Sequence, residues 1–473
     1  MSAASDVAEL SGPLTEGRLI EPVCPLPVDL AGHGYVEEEF VAAGTARAYR
    51  ANGPLGLDGA WTVSVADTAP FRTRIVVRRP KGGRRFNGTV VVEWLNVSGG
   101  VEAAPDWAYL HDEVLRSSHV YVAVSTQAFG VHGGRGLIET PGVVSHGGLV
   151  AAQPARYGAL CHPGDRFAFD IFSQVGRALR WGPNRVVLGG HDPRCILAVG
   201  QSQSAFFLTT YVDAVHHGAE VYDGFLVHSR GGGAASLEGV PRRDVTAVPS
   251  MTEPATASAP SEDQAVPVGL RIRSDTAVPV LVFETETDLG PRLDFAPARQ
   301  PDTDRVRTWE VAGTAHADAY LVGSFARALG CPFAVNDGPH HEVVLAALRA
   351  LERWVTDGTP PPSAPPLRLA SLSPPSLARD QFGNAIGGVR TPAVDVPVAA
   401  LSGEAPVGAS VLCSLFGSTT AFGPATLRRL YGSRRTYLGV YVKALDHAVA
   451  AGFLLEDDRP GLLARAERTP LPS

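Results

Sequence analysis

The stretch C-I-L-A-V-G-Q-S-Q-S at residues 195–204 joins an apolar run to a small, polar turn. Residues 195–199 have the length and the continuous apolar character of a strand that is buried on both faces. An apolar helical pattern begins near Ser204, directly after the turn. Strands that lead through a short turn into a helix are typical of parallel sheets covered by helices. The stretch therefore predicts an α/β fold.

The same alternation of strands and helices continues along the chain. Strand patterns are predicted at residues 89–94, 119–125, 224–228, 278–283 and 307–311. The first strand patterns, at residues 38–49, 61–65 and 73–78, have the alternation of antiparallel strands with one exposed face. We expect a mostly parallel central sheet flanked by helices, with antiparallel strands on its N-terminal side.

The chain is expected to fall into three parts. Its 473 residues exceed the size of about 250–300 residues at which single cores stop growing, so one large core with additions is expected. A helical pattern at 339–356 is stopped by the run G-T-P-P-P at 358–362, which marks a boundary. We predict N-terminal strands and a leader at residues 1–60, an α/β domain at 61–360, and a mainly helical C-terminal extension at 361–473 packed on that domain.

Two long segments interrupt the predicted α/β domain. Residues 127–161 form a loop rich in glycine and histidine, far longer than the usual connection of about 4–6 residues. Long loops at strand ends frequently carry binding residues, so we expect this one to contact a substrate. Residues 231–264 are rich in Gly, Ala, Ser and Pro, and two interpretations stay open: a mobile lid or a surface excursion.

The distribution of charge and hydropathy argues against several classes of partner. The formal net charge is −7 and the basic residues are spread along the chain, whereas nucleic-acid binding depends on clustered Lys and Arg. Residues 1–10 lack the basic start and apolar run of a secretory signal, and no apolar segment approaches the ~18 residues of a membrane span. We expect a cytoplasmic protein with neither a nucleic-acid nor a membrane partner. The oligomeric state stays open.

Neither a cofactor nor a metal is predicted. The five cysteines form no CxxC pair, so we expect small buried residues, with a Cys161–Cys331 disulfide left open. The adjacent pairs His216–His217 and His340–His341 would point about 100° apart on a helix, unlike two ligands of one metal. The three glycines at 231–233 match no phosphate-binding motif.

The turn G-Q-S-Q-S at 200–204 fits the pattern small-x-nucleophile-x-small, in which a strained strand-to-helix turn presents a serine above the sheet. The flanking positions must be small because the strand and helix backbones approach closely there. Ser204 is an alternative nucleophile, but it would place the bulky Phe206 at a flanking position. We therefore predict Ser202 as the nucleophile.

A serine hydroxyl needs an imidazole to accept its proton and a carboxylate to orient that imidazole. In this type of fold the chain order is serine, acid, histidine. His316 follows the last predicted strand in the segment E-V-A-G-T-A-H at 310–316, and it is the predicted base. The acid should follow the strand at 278–283, where both Glu286 and Asp288 are credible. The offset from the strand end favours Asp288, with Glu286 as the alternative.

Negative charge that develops on a substrate oxygen requires preorganised N–H donors, which form an oxyanion hole. One donor should be the backbone of Gln203, which follows the nucleophile. The second should come from the loop after the strand at 89–94, where L-N-V-S-G-G at 95–100 contains paired glycines. We choose Asn96 as this donor, although a simple glycine-rich turn is an equally good interpretation.

Several stretches of the chain resemble the bacterial "α/β-hydrolase domain" proteins. The matching stretches lie at 93–99, 200–204, 286–288, 299–303, 309–318, 336–339, 383–384 and 387–390. The resemblance covers nearly the whole chain and implies an α/β-hydrolase fold with a site of Ser202, Asp288 or Glu286, and His316. It also implies that the region after Pro362 belongs to the same functional unit. The substrate does not follow from family membership.

These residues predict a serine hydrolase that cleaves a small-molecule carboxylic ester or lactone through an acyl-enzyme. An acyltransferase that uses the same acyl-enzyme is an alternative, because the motif does not separate water from another acceptor. A catalytically silent hydrolase-like protein that binds small molecules is a second alternative. The substrate and its acyl length are not readable from the sequence.

Overall fold

A central sheet organises the computed structural model, which describes residues 6–24, 26–82, 86–134, 136–137, 147–182, 187–239, 266–323 and 330–471. Residues 240–264 of the predicted lid, and residues 135 and 138–146 of the long loop, lie outside this described part. The sheet strands are β1 (Glu9–Ser11), β2 (Tyr35–Ala51), β3 (Val63–Pro80), β4 (Thr89–Trp94), β5 (Val120–Val124), β6 (Cys195–Gln201), β7 (Gly224–His228), β8 (Val280–Thr285) and β9 (Val306–Val311).

The strand order of this sheet is β1-β2-β3-β5-β4-β6-β7-β8-β9. The pairings β1–β2, β2–β3 and β3–β5 are antiparallel. All pairings from β5 through β4 to β9 are parallel. The prediction of an α/β-hydrolase fold, with a mostly parallel sheet and antiparallel N-terminal strands, is confirmed.

Strand β3 is longer than the sequence pattern indicated. The predicted strands at 61–65 and 73–78 are parts of one strand, Val63–Pro80, which pairs with β2 along its whole length. Residues 65–68 of β3 are exposed, whereas residues 73–78 are buried. The outer half of the β2–β3 hairpin is therefore held mainly by backbone hydrogen bonds, and such a segment needs no apolar alternation that a sequence could reveal.

Helices cover both faces of the sheet. The helices are α1 (Pro105–Arg116), α2 (Ala128–His132), α3 (Gly148–Ala152), α4 (Pro154–Tyr157), α5 (Ala168–Trp181), α6 (Gln203–Thr210), α7 (His217–Ala219), α8 (Glu286–Leu289), α9 (Ala319–Val322), α10 (His340–Asp357), α11 (Pro392–Asp395), α12 (Pro424–Tyr431), α13 (Arg434–Ala450) and α14 (Arg459–Arg468). Helices α1 and α10 pack on one face and α5 and α6 on the other, as two apolar clusters show. Alternate residues of each parallel strand supply the two clusters, as expected for strands buried on both faces.

The C-terminal part of the chain extends the face that carries α10. Tyr437, Tyr441 and Leu445 of α13 join the same apolar cluster as Leu348 of α10. Two small antiparallel sheets precede these helices, formed by β10 (Leu369–Leu372) with β11 (Pro375–Leu377), and by β12 (Ala399–Ser402) with β13 (Ser418–Ala421). The C-terminal extension, which the sequence indicated as mainly helical, thus also contains short strands.

The cysteines differ from the expectation. Cys331 forms a disulfide with Cys413, so the Cys161–Cys331 pairing left open above is wrong. Cys161 is exposed and Cys24 half-buried, and only Cys195 is a small buried thiol. Sequence spacing does not reveal which cysteines meet, because the paired residues are 82 positions apart. No helix among the described residues is long and apolar enough to cross a membrane.

Candidate active site

Ser202 lies at the sharp turn between β6 and α6. Its backbone has φ 63° and ψ −121°, a conformation that L-residues rarely adopt. The turn is tight, since a Cβ atom added to Gly200 would lie 3.0 Å from the Cβ atom of Ser204. Ser202 is half-buried, whereas Ser204 is fully buried. The turn therefore presents Ser202 toward the carboxyl ends of the parallel strands and keeps Ser204 inside.

Three side chains form a continuous hydrogen-bonded row at this turn. The Oγ atom of Ser202 is 2.7 Å from Nε2 of His316. The Nδ1 atom of His316 is 2.6 Å from Oδ1 of Asp288. A carboxylate can only accept, so Nδ1 donates to it, and Nε2 of the neutral ring is free to accept the serine proton. The row has the geometry of a nucleophile, its base and an orienting acid.

Asp288 is buried at the start of α8. Its Oδ2 atom accepts hydrogen bonds from the backbone N–H of Thr285 at 2.6 Å and from the Thr285 hydroxyl at 2.7 Å. Burial alone would raise the pKa of the Asp288 carboxyl, but His316 and the two bonds from Thr285 outweigh it, so the pKa is lowered. Asp288 is thus held ionised beside His316.

Glu286 lies two residues away but faces other groups. Its Oε1 atom accepts the N–H of Gly313 at 2.6 Å, and Oε2 accepts the N–H of Gly403 at 3.0 Å. Arg379 donates to Oε2 at 3.1 Å. Burial raises the pKa of Glu286, and Arg379 opposes this rise. Asp288, rather than Glu286, therefore contacts His316. Glu286 connects residues 285–288, here called the acid turn, to the C-terminal extension.

The segment that carries His316, residues 312–317, is here called the base loop. Its backbone is held from several sides: Thr287 Oγ1 accepts the N–H of His316 at 3.1 Å, and Gln201 Nε2 donates to the carbonyl of His316 at 3.0 Å. Asn336 Nδ2 donates to the carbonyl of Gly313 at 3.2 Å. These bonds fix the backbone from which the His316 ring projects.

The β4 loop, residues 95–104, borders the other side of Ser202. The backbone N–H of Asn96 donates to the carbonyl of Ala103 at 3.0 Å, and the Asn96 side chain donates to the carbonyl of Gln201 at 3.1 Å. The N–H of Val97 instead donates to the side-chain oxygen Oε1 of Gln203 at 3.0 Å. Asn96 therefore shapes the loop, and Val97 is the residue whose N–H faces the turn after the nucleophile.

The Gln203 backbone N–H belongs to the first turn of α6. The first N–H groups of a helix have no partner within the helix. The N–H of Gln203 has no hydrogen-bond partner among the described residues. The predicted positions Gln203 and Asn96 thus lie beside Ser202, but their N–H groups differ, because only that of Gln203 is unengaged.

Several hydrogen-bonding groups near the site escaped sequence reasoning. Val97 and the side chain of Gln203 gave no signal, since one is apolar and the other sits inside the serine motif. Arg379 lies in the C-terminal extension, far from Glu286 in sequence. The stretches N-D-G at 336–338 and G-N at 383–384 belong to the family resemblance, but they do not say what their residues contact.

No metal site accompanies these groups in the part of the chain that the structure describes. No cluster there of three or more His, Cys, Asp or Glu side chains could hold a metal ion.

The family model for the alpha/beta hydrolase domain matches residues 10–464. The chain belongs to this family. This α/β-hydrolase domain therefore spans nearly the entire sequence, including the C-terminal extension, and the resemblance noted from the motifs is confirmed. No curated protein matches the chain significantly.

Solved structures with a similar arrangement include several esterases. A glucuronoyl esterase from Teredinibacter turnerae is 12% identical, with 66% of this chain and 76% of that chain covered and a TM-score of 0.29. A serine hydrolase without a lid from Xanthomonas campestris is 9% identical, with 60% and 91% covered and a TM-score of 0.27. The carboxylesterase Cest-2923 from Lactobacillus plantarum is 11% identical, with 53% and 77% covered and a TM-score of 0.25. Likenesses this distant carry no argument about activity.

Proposed function

We propose that this α/β-hydrolase is a serine esterase that cleaves a small-molecule carboxylic ester or lactone. The observation that carries the proposal is the continuous row of Ser202, His316 and Asp288, with contacts of 2.7 and 2.6 Å. Ser202 is the nucleophile, His316 the general base and Asp288 the orienting acid.

The proposed reaction has two halves. In the first, the Ser202 Oγ–H proton moves to Nε2 of His316 while Oγ bonds to the substrate carbonyl carbon, whose oxygen becomes negative. The intermediate then collapses, the bond to the leaving alcohol breaks, and His316 gives that alcohol its proton. In the second half, His316 takes a proton from water, the resulting attack releases the carboxylic acid, and Ser202 regains its proton.

Asp288 stabilises the imidazolium that forms in each half of the reaction. Its lowered pKa keeps it charged while His316 carries a proton, so the pair is favoured electrostatically. Glu286 is proposed to support this arrangement from outside, because it holds Gly313 of the base loop and Gly403 of the C-terminal extension.

The oxyanion hole is proposed to consist of the backbone N–H groups of Gln203 and Val97. The N–H of Asn96 is already donated to Ala103, so Val97 replaces it in this role. The Val97 N–H is covered by Oε1 of Gln203 at 3.0 Å, and a substrate oxygen would take the place of that side-chain oxygen. Asn96 keeps the role of shaping the β4 loop.

The proposed catalytic unit includes residues 361–473. Arg379 donates to Glu286 at 3.1 Å, and the Gly403 carbonyl accepts a hydrogen bond from Thr287 Oγ1 at 2.7 Å. Ala317 of the base loop donates to the carbonyl of Leu415 at 3.1 Å. The acid turn and the base loop thus both depend on the C-terminal extension, which supports one functional unit rather than a detachable module.

The decisive experiment measures hydrolysis of p-nitrophenyl acetate, butyrate and octanoate by the wild type, Ser202→Ala and the matched control Ser204→Ala. Loss of the nucleophile should lower kcat by about 10³-fold or more. Ser204→Ala should stay near the wild type, because its buried hydroxyl does not contact His316. A fluorophosphonate probe should label only proteins that retain Ser202.

The outcomes separate the proposal from its alternatives. Equal activity in the wild type and Ser202→Ala would contradict the proposal, as would a loss confined to Ser204→Ala. If the wild type shows no turnover and is not labelled by the probe, this result would favour a binding protein. A transferred acyl group on an added alcohol, in preference to hydrolysis, would identify an acyltransferase.

A further inference from the structure

A second row of polar side chains lies buried beneath the candidate site. His228 at the end of β7 and His340 at the start of α10 contact each other through their Nε2 atoms at 2.7 Å. Nδ1 of His228 is 2.8 Å from Oδ1 of Asp106, near the start of α1. All three side chains are inaccessible to solvent. The row therefore joins two helices to the edge of the sheet that carries the site.

Both ends of this row reach backbone groups of the site. Nδ1 of His340 is 3.0 Å from the carbonyl oxygen of Ala315, the residue before His316. The carbonyl oxygen of His228 accepts the N–H of Ser202 at 2.9 Å. The same row thus touches the base loop on one side and the nucleophile turn on the other.

We propose that Asp106, His228 and His340 are positioning residues that fix Ser202 and His316 relative to each other. This inference rests on the proposed function. The three residues contact neither the Ser202 hydroxyl nor the His316 ring, so they act only through the backbone of Ala315 and Ser202. A shift of about 1 Å between reacting groups can cost 10²-fold in rate, which is the scale on which such positioning acts.

The contacts define where the protons lie. The carbonyl of Ala315 only accepts, so Nδ1 of His340 carries a proton and its Nε2 atom accepts. His228 must then donate from Nε2, which leaves Nδ1 of a neutral His228 as an acceptor. Asp106 is consequently the donor to that nitrogen, as a protonated carboxylic acid. Every contact in the row then has one donor and one acceptor.

Burial favours this neutral arrangement. It raises the pKa of Asp106 well above its usual range and lowers the pKa of His228 to about 3. Burial also places the pKa of His340 well below its usual range. A charged group without water is costly, so the row stays uncharged while His316 gains and loses its proton.

Aromatic rings hold His340 in place. The ring of Tyr109 stacks on it with the centroids 4.2 Å apart, and the ring of Phe283 stacks with the centroids 5.3 Å apart. The Tyr109 hydroxyl in turn donates to Oδ1 of Asp318 at 3.0 Å. A clamped imidazole can transmit a fixed position to Ala315, because its rotation would break ring packing as well as hydrogen bonds.

The first test compares His340→Asn with His340→Gln. The amide of Asn lies near the position of Nδ1 and can still donate to Ala315, whereas the longer Gln places its amide near Nε2 and loses that bond. We expect kcat for p-nitrophenyl butyrate to fall about 10–100-fold in His340→Gln, with KM within about 3-fold, and His340→Asn to stay within about 5-fold of the wild type. The rate of fluorophosphonate labelling should follow kcat.

A buried histidine outside the row provides the control for stability. His216 is buried, packs on Phe225 and makes no contact with the site. His216→Gln should lower the thermal midpoint without lowering kcat of the folded protein. If His340→Gln likewise lost only thermal stability and kept the wild-type kcat, the positioning role would be excluded.

The second test addresses the proton on Asp106. Asp106→Asn retains a donor toward Nδ1 of His228, whereas the isosteric Asp106→Leu has none. We expect Asp106→Asn to keep kcat within about 5-fold and Asp106→Leu to lose about 10-fold or more, since Leu leaves the buried Nδ1 acceptor of His228 without a donor. Equal losses in the two variants would overturn the assignment.

The two hypotheses fail in distinguishable ways. If Ser202→Ala removes turnover but His340→Gln does not, the positioning inference is wrong and the proposed function stands. If Ser202→Ala retains turnover, the proposed function itself is wrong, whatever the histidine variants show.

Discussion

The base loop and the β4 loop border Ser202 from opposite sides, and their hydrogen bonds differ in one respect. Partners from β6, the acid turn, α10 and the C-terminal extension hold the base loop, and they leave Nε2 of His316 directed at Ser202 at 2.7 Å. In the β4 loop the N–H of Val97, which would bind a substrate oxygen, is occupied by Oε1 of Gln203 at 3.0 Å. The proposed acid–base half of the site is therefore assembled in advance, whereas the proposed oxyanion hole would require an exchange of partners.

The exchange at the β4 loop need not be costly. One neutral hydrogen bond replaces another, and a typical bond of this kind contributes only about 0.5–1.5 kcal/mol net. In the proposed reaction the substrate oxygen becomes negative, and its bond to the Val97 N–H would then be charge-assisted and roughly twice as strong. The Gln203 side chain would thus keep the donor satisfied in the free protein and yield to the transition state.

The largest expected effect tests the contact between Asp288 and His316, which is already formed in the free protein. Asp288→Asn should lower kcat by about 10⁴-fold, because the amide no longer selects the His316 tautomer whose Nε2 accepts the serine proton. Glu286→Gln is the matched control, since this carboxyl contacts Gly313, Gly403 and Arg379 instead of His316. It should lower the thermal midpoint and cost kcat about 10-fold at most. Steady-state hydrolysis and thermal unfolding of both variants measure these effects.

A larger loss of kcat in Glu286→Gln than in Asp288→Asn would contradict the roles proposed for these two carboxyl groups. If Glu286→Gln lost more kcat than Asp288→Asn while remaining folded, Glu286 would be the orienting acid and the geometry would have to change during turnover.

The second prediction tests the Val97 N–H, which the Gln203 side chain occupies in the free protein. In Gln203→Glu a carboxylate would hold the Val97 N–H more strongly and place negative charge where the substrate oxygen becomes negative. Loss of one oxyanion donor costs about 10²–10³-fold in kcat, and we expect a loss of that size. Gln203→Ala keeps its own backbone N–H and exposes that of Val97, so its kcat should remain within about 10-fold of the wild type. Steady-state kinetics above pH 7 compare the two variants.

The ratio of kcat in Gln203→Ala to kcat in Gln203→Glu tests whether the Val97 N–H binds the reacting oxygen. Two variants with equal kcat would show that the Val97 N–H does not bind the reacting oxygen, and the second donor would have to be sought elsewhere in the β4 loop.

The same comparison shows what the sequence could predict. Ser202, His316 and Asp288 each follow a buried strand at a recognisable offset, so periodicity and chain order place them near one edge of the sheet. Asn96 was chosen by the same reasoning, but a loop has no periodicity, and the orientation of each N–H depends on contacts such as that with Ala103. Catalytic roles for all these residues stay predictions until they are measured.

Contacts between residues far apart in the sequence could not be predicted from any local pattern. Arg379 meets Glu286 across 93 positions of sequence, and Cys331 meets Cys413 across 82. His340 begins an amphipathic helix and gave only a helical signal, because its contact with His228 arises when α10 packs on the sheet. Such pairs are set by tertiary packing, which a single sequence does not display.

The smallest expected effect concerns Asp318, which follows the base loop and is the N-cap of α9. Its Oδ1 atom accepts the N–H of Leu321 at 2.9 Å and the hydroxyl of Tyr109 at 3.0 Å, and burial raises its pKa to about 7. Between about pH 4 and pH 7 the folded state keeps a proton that the unfolded state has released, so this group makes the free energy of unfolding fall as pH rises.

Asp318→Asn cannot ionise and its amide oxygen can accept both bonds. The thermal midpoint of the variant should therefore rise relative to the wild type from pH 4 to pH 8, with pH 4, where both side chains are neutral, as the internal control. A constant difference across this range would show that Asp318 is not held protonated, and the environment next to the base loop would be more polar than its burial indicates.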